Sequence, residues 1–434
     1  MSAEGMLRFT TAGSVDDGKS SLIGRMLYDL HAVPRDRIAA LERIARRKDE
    51  AEIDLSLLLD GLSAEREQGI TIDVAYSHFA TARRRFMIAD TPGHEQYTRN
   101  MVTGASNADA AVILVDARRG MSVQTRRHLY LSHLLGVRHL VIAVNKMDLV
   151  DFAETVYAAT AQAATEFAAR LGASAPILVP ISAKHGDNVV HPSARTPWYR
   201  GGPLLALLET LPAGDATRDA PFRMPVQLVR RIPTPAGGQK RQYLGRIESG
   251  HARIGDEIAV MPSGVTTRIR ALATFDGALD EAAWPLSVAL ETAEEIDIAR
   301  GDILVASLAR PQTATRFDAT LCWFADESFT GRRSFLIKSG TRSVTGRIAR
   351  IIHRVDVATL AAEPDPGLLR RNDIARVGMM LSAPLAIDAY ADNRATGSFI
   401  VIDAETNGTV AAGMIERPEG VGAIPGVPGF DPGL

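Results

Sequence analysis

From residue 7 to about 211, short apolar runs of strand length alternate with segments whose apolar positions recur at helical spacing. The runs cover 7–12, 86–89, 111–115, 140–144 and 177–181. Helix-like segments lie at 20–29, 124–135 and 153–171. This alternation predicts an α/β domain, a doubly wound and mostly parallel sheet covered by helices. A charged insertion at 34–47 carries Ile38, Leu41, Ile44 and Ala45 on one helical face, with Pro34 near its start. The pattern changes after Pro212. The stretch 213–221 is polar, contains glycine and proline, and reads as a linker. Short alternating strands follow at 225–230, 243–248, 256–261 and 267–272, with turns marked by Gly245, Gly250, Gly255 and Gly264. A second block of this kind runs from 315 to 416. The expected organisation is therefore an α/β domain at 1–212, a linker at 213–221, a β-barrel at 222–311 and another at 312–417. The tail 418–434 is rich in glycine and proline and reads as disordered.

Composition narrows the partners. The 434 residues include 49 basic and 51 acidic side chains, a formal net charge of -2. A broad nucleic-acid surface needs a basic footprint, so such a partner is not expected. Cys322 is the only cysteine, which excludes an intramolecular disulfide. It lies in the run Leu321, Cys322, Trp323, Phe324 and reads as a core thiol. The start of the sequence lacks the basic and apolar regions of a signal peptide, and no apolar run reaches membrane-spanning length. The expected location is cytoplasmic, with no membrane partner.

The chemistry gathers after the strands. Gly13, Ser14, Val15, Asp16, Asp17, Gly18, Lys19 and Ser20 match G-x-x-x-x-G-K-[ST] between a strand and a helix. Glycines let backbone N–H groups wrap phosphate oxygens at a helix N-terminus. Lys19 is placed to reach the terminal phosphates, and the Ser20 hydroxyl to ligate magnesium. Asp90, Thr91, Pro92 and Gly93 follow the run 86–89. Asp90 can hold the metal through water, and Gly93 can offer its N–H to a γ-phosphate. Asn145, Lys146, Met147 and Asp148 follow the run 140–144. The Asp148 carboxylate can take paired hydrogen bonds from guanine N1–H and its exocyclic amine, a pair that adenine lacks. Asn145 can tie this loop to the phosphate loop, and the Lys146 stem can cover the base. After the next strand, Ser182, Ala183 and Lys184 can present a backbone N–H to guanine O6. Four loops in this order, each at the C-terminal end of an expected strand, define a guanine-nucleotide site for GTP or GDP with magnesium.

At this point the sequence resembles translational GTPases. Glu65 through Ile72 is similar to their first switch, and Asp90 to His94 to their second. Within that superfamily it most resembles the GTP-binding large subunit of bacterial sulfate adenylyltransferase. The stretch from Ser14 to Ser21 carries that likeness, with Asp17 where elongation factors usually have another residue. So do Asp90 to Met101, Glu295 to Asp302 and Thr396 to Asp403. Gln239 to Tyr243 departs from the family pattern, as does the tail.

The resemblance implies that Thr71 binds magnesium and the γ-phosphate, together with Ser20 and Asp90 as metal ligands. It implies that His94 orients the attacking water, and that Asp16 helps place a monovalent cation or the bridging oxygen. The implied function is hydrolysis of GTP to drive a smaller catalytic subunit, which makes adenylyl sulfate and pyrophosphate from ATP and sulfate. The two would form a heterodimer or a higher hetero-oligomer serving sulfate assimilation. The alternative is an elongation-factor-type GTPase carrying aminoacyl-tRNA, and a third reading is a nucleotide-locked scaffold with little turnover. Near-neutral charge and Asp17 weigh toward the first.

Overall fold

The computed structural model describes residues 4–48, 53–58, 73–213, 215–233, 238–331 and 333–416. Thr71, the first-switch stretch around it and the tail 418–434 lie outside the described residues. The chain divides into two compact units, Met1–Asp215 with Asp356–Ala361, and Ala216–Val355 with Ala362–Leu434.

The first unit is built on a six-stranded sheet. Its strands are β1 (Glu4–Ala12), β2 (Ala75–Ala80), β3 (Arg84–Asp90), β4 (Ala110–Asp116), β5 (His139–Asn145) and β6 (Ile177–Pro180), in the spatial order β2-β3-β1-β4-β5-β6. All neighbours are parallel except β2, which runs antiparallel to β3 at the edge. The expected parallel sheet therefore gains an edge strand that the hydrophobic pattern did not announce. Only Phe79 is buried in β2, so the segment carries little periodic signal. By contrast every residue of β4 is buried, as expected of a central strand covered on both faces.

The helices are α1 (Lys19–Asp29), α2 (Arg35–Lys48), α3 (Thr98–Ser106), α4 (Val123–Leu134), α5 (Glu154–Arg170) and α6 (Leu204–Thr210). Leu22, Ile23 and Met26 form the buried stripe of α1 and join a core with Leu7, Phe9, Phe86 and Ile88. Beside β1 the connections reverse direction. Its onward chain leads to β3 on one side, whereas β4 and its successors lie on the other. A crevice at the C-terminal ends of the strands is the usual ligand position in such a sheet.

The second unit holds two larger antiparallel sheets. In the first, the central order is Arg223–Pro225, Ile303–Ala306, Glu257–Met261, Val265–Thr274, Ser287–Thr292, Gln239–Arg246 and Leu228–Pro233. A bridge between Arg223 and Ser249 joins its first strand to the chain just past Gln239–Arg246, the strand before the far end. The expected strand at 225–230 is in fact two strands separated by Val226 and Gln227, and the stretch read as a linker contains a helical turn at Asp215–Arg218. In the other sheet Phe335–Ser339 pairs with both Ser398–Ile402 and Arg342–Val355, which closes six strands into a barrel. Cys322 is buried in Gln312–Trp323, as a core thiol should be.

Within this unit Arg223 and Asp388 form a bidentate pair, Nε to Oδ2 at 2.9 Å and Nη2 to Oδ1 at 3.0 Å. Arg223 is 5% exposed, and Thr396 Oγ1 donates to the same carboxylate at 2.5 Å. Removing one partner strands the other charge in the interior. Arg223→Ala should lower unfolding stability by about 3 kcal/mol or more, read by chemical denaturation.

Candidate nucleotide site

The loop after β1 is shaped by Gly18, which caps α1 in the left-handed region at φ 93. A Cβ there would lie 2.5 Å from Asn145 Nδ2, so both backbone angle and space require glycine. Lys19 Nζ donates to the carbonyls of Gly13 and Ser14, each at 3.0 Å. This pins the lysine along the loop, with its ammonium beside the amides that follow. Burial pushes the Lys19 ammonium down, while Asp90, Asp17 and Asp16 oppose that shift. Ser14 Oγ lies 3.3 Å from Ser122 Oγ, and Ser122 caps α4 by accepting the Thr125 N–H at 3.0 Å. Ser20 and Ser21 occupy the first turn of α1.

The loop after β3 comes up against this phosphate loop. Asp90 is 3% exposed and accepts from Thr11 Oγ1 at 2.8 Å. Thr91 Oγ1 donates to the Thr11 carbonyl at 2.5 Å. A Cβ on Gly93 would sit 2.5 Å from the Gly13 carbonyl oxygen and would also collide with Lys19 Nζ. Pro92 is buried beside it. His94 is exposed, and its Nδ1 accepts the Gln96 N–H at 3.2 Å. Its ring meets Tyr97 edge-on at 6.1 Å.

The base-side loops converge through Asn145. Its Nδ2 donates to the Asp17 carbonyl at 2.7 Å, and its Oδ1 accepts the Ala183 N–H at 2.9 Å. One side chain thus joins the loops after β1, β5 and β6. Ser182 Oγ donates to Asp148 Oδ1 at 2.7 Å, fixing one edge of the carboxylate, and His185 Nε2 lies 3.7 Å from its other oxygen. The Ala183 N–H is directed to Asn145, which the sequence pattern did not specify.

Several residues in the network were not singled out from the sequence. Asp116 ends β4 and pairs with Lys146 Nζ at 3.1 Å and with Arg118 Nη2 at 2.6 Å. Burial alone would raise the Asp116 carboxyl, but the Arg118 and Lys146 contacts together hold it well below the usual range. Its position at the C-terminal end of a continuous apolar run was the available signal. Gln124 Nε2 donates to the Gly93 carbonyl at 3.3 Å and to His128 Nε2, 3.1 Å away. The His128 proton then sits on Nδ1, which is buried without a hydrogen-bond partner among the described residues. Burial, then Lys19 and Arg127, push the His128 imidazole down to about 3.

The donor set suits magnesium held mainly by phosphate and water. Ser20 offers a hydroxyl, Asp90 a carboxylate, and no cluster of three or more His, Cys, Asp or Glu that could hold a metal exists among the described residues.

Comparison with known proteins places these features in families. Residues 4–218 match the model of the elongation factor Tu GTP binding domain, and residues 316–416 match the GTP-eEF1A C-terminal domain-like family. The first of these is a GTP-binding domain, so this part of the chain binds GTP or GDP. The chain is 48% identical over 415 residues to the bifunctional enzyme NodQ of Rhizobium meliloti, covering 95% of this chain and 64% of that protein. It is 49% identical over 413 residues to the bifunctional enzyme CysN/CysC of Mycobacterium tuberculosis, covering 95% and 67%. It is 49% identical over 416 residues to sulfate adenylyltransferase subunit 1 of Chromobacterium violaceum, covering 94% and 86%. The chain thus spans about two thirds of the length of the bifunctional relatives. Among the described residues no helix is long and apolar enough to cross a membrane.

Two outcomes follow from this geometry. Asp148→Asn should weaken GDP binding by about a hundredfold or more while improving xanthosine diphosphate binding, as measured by calorimetry, because a charge-assisted pair is replaced by a mismatched amide. His128 stays neutral in the folded chain while the unfolded chain gains a proton below about pH 6.5. Its contribution therefore makes stability fall as pH drops. Denaturation at pH 6.5 and 5 should show about 2 kcal/mol more loss in the parent than in His128→Gln.

Proposed function

Because the chain belongs to the sulfate adenylyltransferase subunit 1 family of translation-factor-type GTPases, we propose that it hydrolyses GTP to drive adenylyl sulfate synthesis by a partner catalytic subunit. The partner transfers AMP from ATP to sulfate, and this chain does not touch sulfate. The product is a high-energy phosphosulfate anhydride, so the reaction needs an external energy source. The observation that carries the nucleotide part is the double attachment of Asn145, which couples the phosphate loop to the base-reading loop. The names of the relatives support the sulfate-activating part. Cytoplasmic location, a hetero-oligomer with the smaller subunit, and the partition into domains at 1–212, 222–311 and 312–417 belong to this reading. Relatives named sulfate adenylyltransferase subunit 1 favour this reading over the aminoacyl-tRNA alternative.

Hydrolysis of this kind demands positioning more than covalent chemistry. Lys19 and the amides of residues 14–20 hold the terminal phosphates and draw charge from the transferred group. Asp148 and Ser182 fix the guanine edge, with Lys146 over the base. Ser20, Thr71 and Asp90 would hold magnesium, which when bound neutralises charge on the β- and γ-oxygens. Asp16 helps place a monovalent cation or the bridging oxygen. His94 orients the attacking water once it turns toward the phosphate, and the partner accelerates turnover by fixing that arrangement.

Purification with the co-eluting subunit, followed by an adenylyl sulfate assay with and without GTP, tests the coupling. GTP should raise product beyond the level reached with ATP and sulfate alone; equal yields would overturn the coupling. His94→Ala should retain GTP binding and lose about two to four decades of hydrolysis in single-turnover assays.

A further inference from the structure

Two consecutive acids stand inside a loop whose ligand is a polyanion. Asp16 occupies a left-handed position at φ 66, and Asp17 is buried with 3% exposure. Asp17 is held at three points. Its Oδ2 accepts the Ser14 N–H at 2.7 Å, its own N–H reaches the Ser14 carbonyl at 3.3 Å, and its carbonyl accepts Asn145 Nδ2 at 2.7 Å. The charged groups facing it are Lys19, Asp116 and Lys146. Each cation is already engaged elsewhere, Lys19 by the Gly13 and Ser14 carbonyls and Lys146 by Asp116. Burial raises the Asp17 carboxyl against the opposing Ser14 and Lys19 contacts.

The loop geometry does not require that charge. An asparagine oxygen can accept the same Ser14 N–H. What the carboxylate adds is a fixed negative potential within the phosphate cradle, acting through protein rather than water. We propose that Asp17 limits nucleotide affinity: while ordering the phosphate loop, its charge opposes bound guanosine phosphates and speeds GDP release. The inference rests on the GTPase reading above. A GTPase that drives a partner turn by turn must clear GDP each cycle, and this acid supplies part of that clearance from within the loop itself.

The test compares the full-length chain with Asp17→Asn, Asp17→Ser and Asp17→Ala, using release of a fluorescent GDP in stopped flow. The two neutral hydrogen-bonding variants should release GDP about tenfold more slowly than the parent, with a matching fall in Kd. Asp17→Ala removes charge and hydrogen bond together and should release faster than Asp17→Asn. A purely structural role predicts parental release from Asp17→Asn, whereas the charge role predicts release slower than parental. Parental or faster release in both neutral variants would overturn the proposal and leave the GTPase reading intact. Failure of the parent chain to bind GDP would overturn both.

Discussion

One carboxamide holds the site together. Asn145 reaches back to the phosphate loop through Nδ2 and forward to the loop after β6 through Oδ1. Gly18 leaves the room for it, since any Cβ there would strike the same amide. Three loops on separate strands are thereby set at fixed spacing, and a nucleotide must satisfy the phosphate and base ends together. Such a clamp lowers the ordering that binding itself must supply.

Charge is arranged around that clamp with unusual density. Lys19, Asp17, Asp90 and Asp116 are all buried. Asp116 is matched by Lys146 and Arg118 and stays ionised, while burial raises the Asp17 carboxyl. Buried charges of this kind are costly for folding and are retained where function needs the field. The loop after β3 adds a further contact to this arrangement. Gly93 touches the phosphate loop on one side and is held through its carbonyl by Gln124 on the other. The same glycine therefore links the phosphate loop to the packing of α4.

Much of this was legible in the sequence, for a physical reason. Central parallel strands are covered on both faces, so they read as continuous apolar runs, and each motif follows such a run directly. Helix α1 was expected at 20–29 and spans Lys19–Asp29, because a glycine cap and an apolar stripe mark it at both levels. The edge strand β2 was missed because only Phe79 is buried there. The split at Val226 and Gln227 was missed because local alternation continues across it. Asp116 and Gln124 gain meaning from tertiary contacts with Lys146 and Gly93, which the local pattern does not specify, whereas the Gln124–His128 contact is an i,i+4 pair within α4. Thr71 stands as an expectation from the sequence pattern, outside the described residues.

Convergence of these loops on one guanine nucleotide implies selectivity for the base. Equilibrium titration of the purified chain with GDP and with ADP, in magnesium, tests it most directly. GDP should bind tightly and ADP about three decades or more weaker, since adenine lacks the donor pair that Asp148 would read. Comparable affinity for the two, or a preference for ADP, would contradict it.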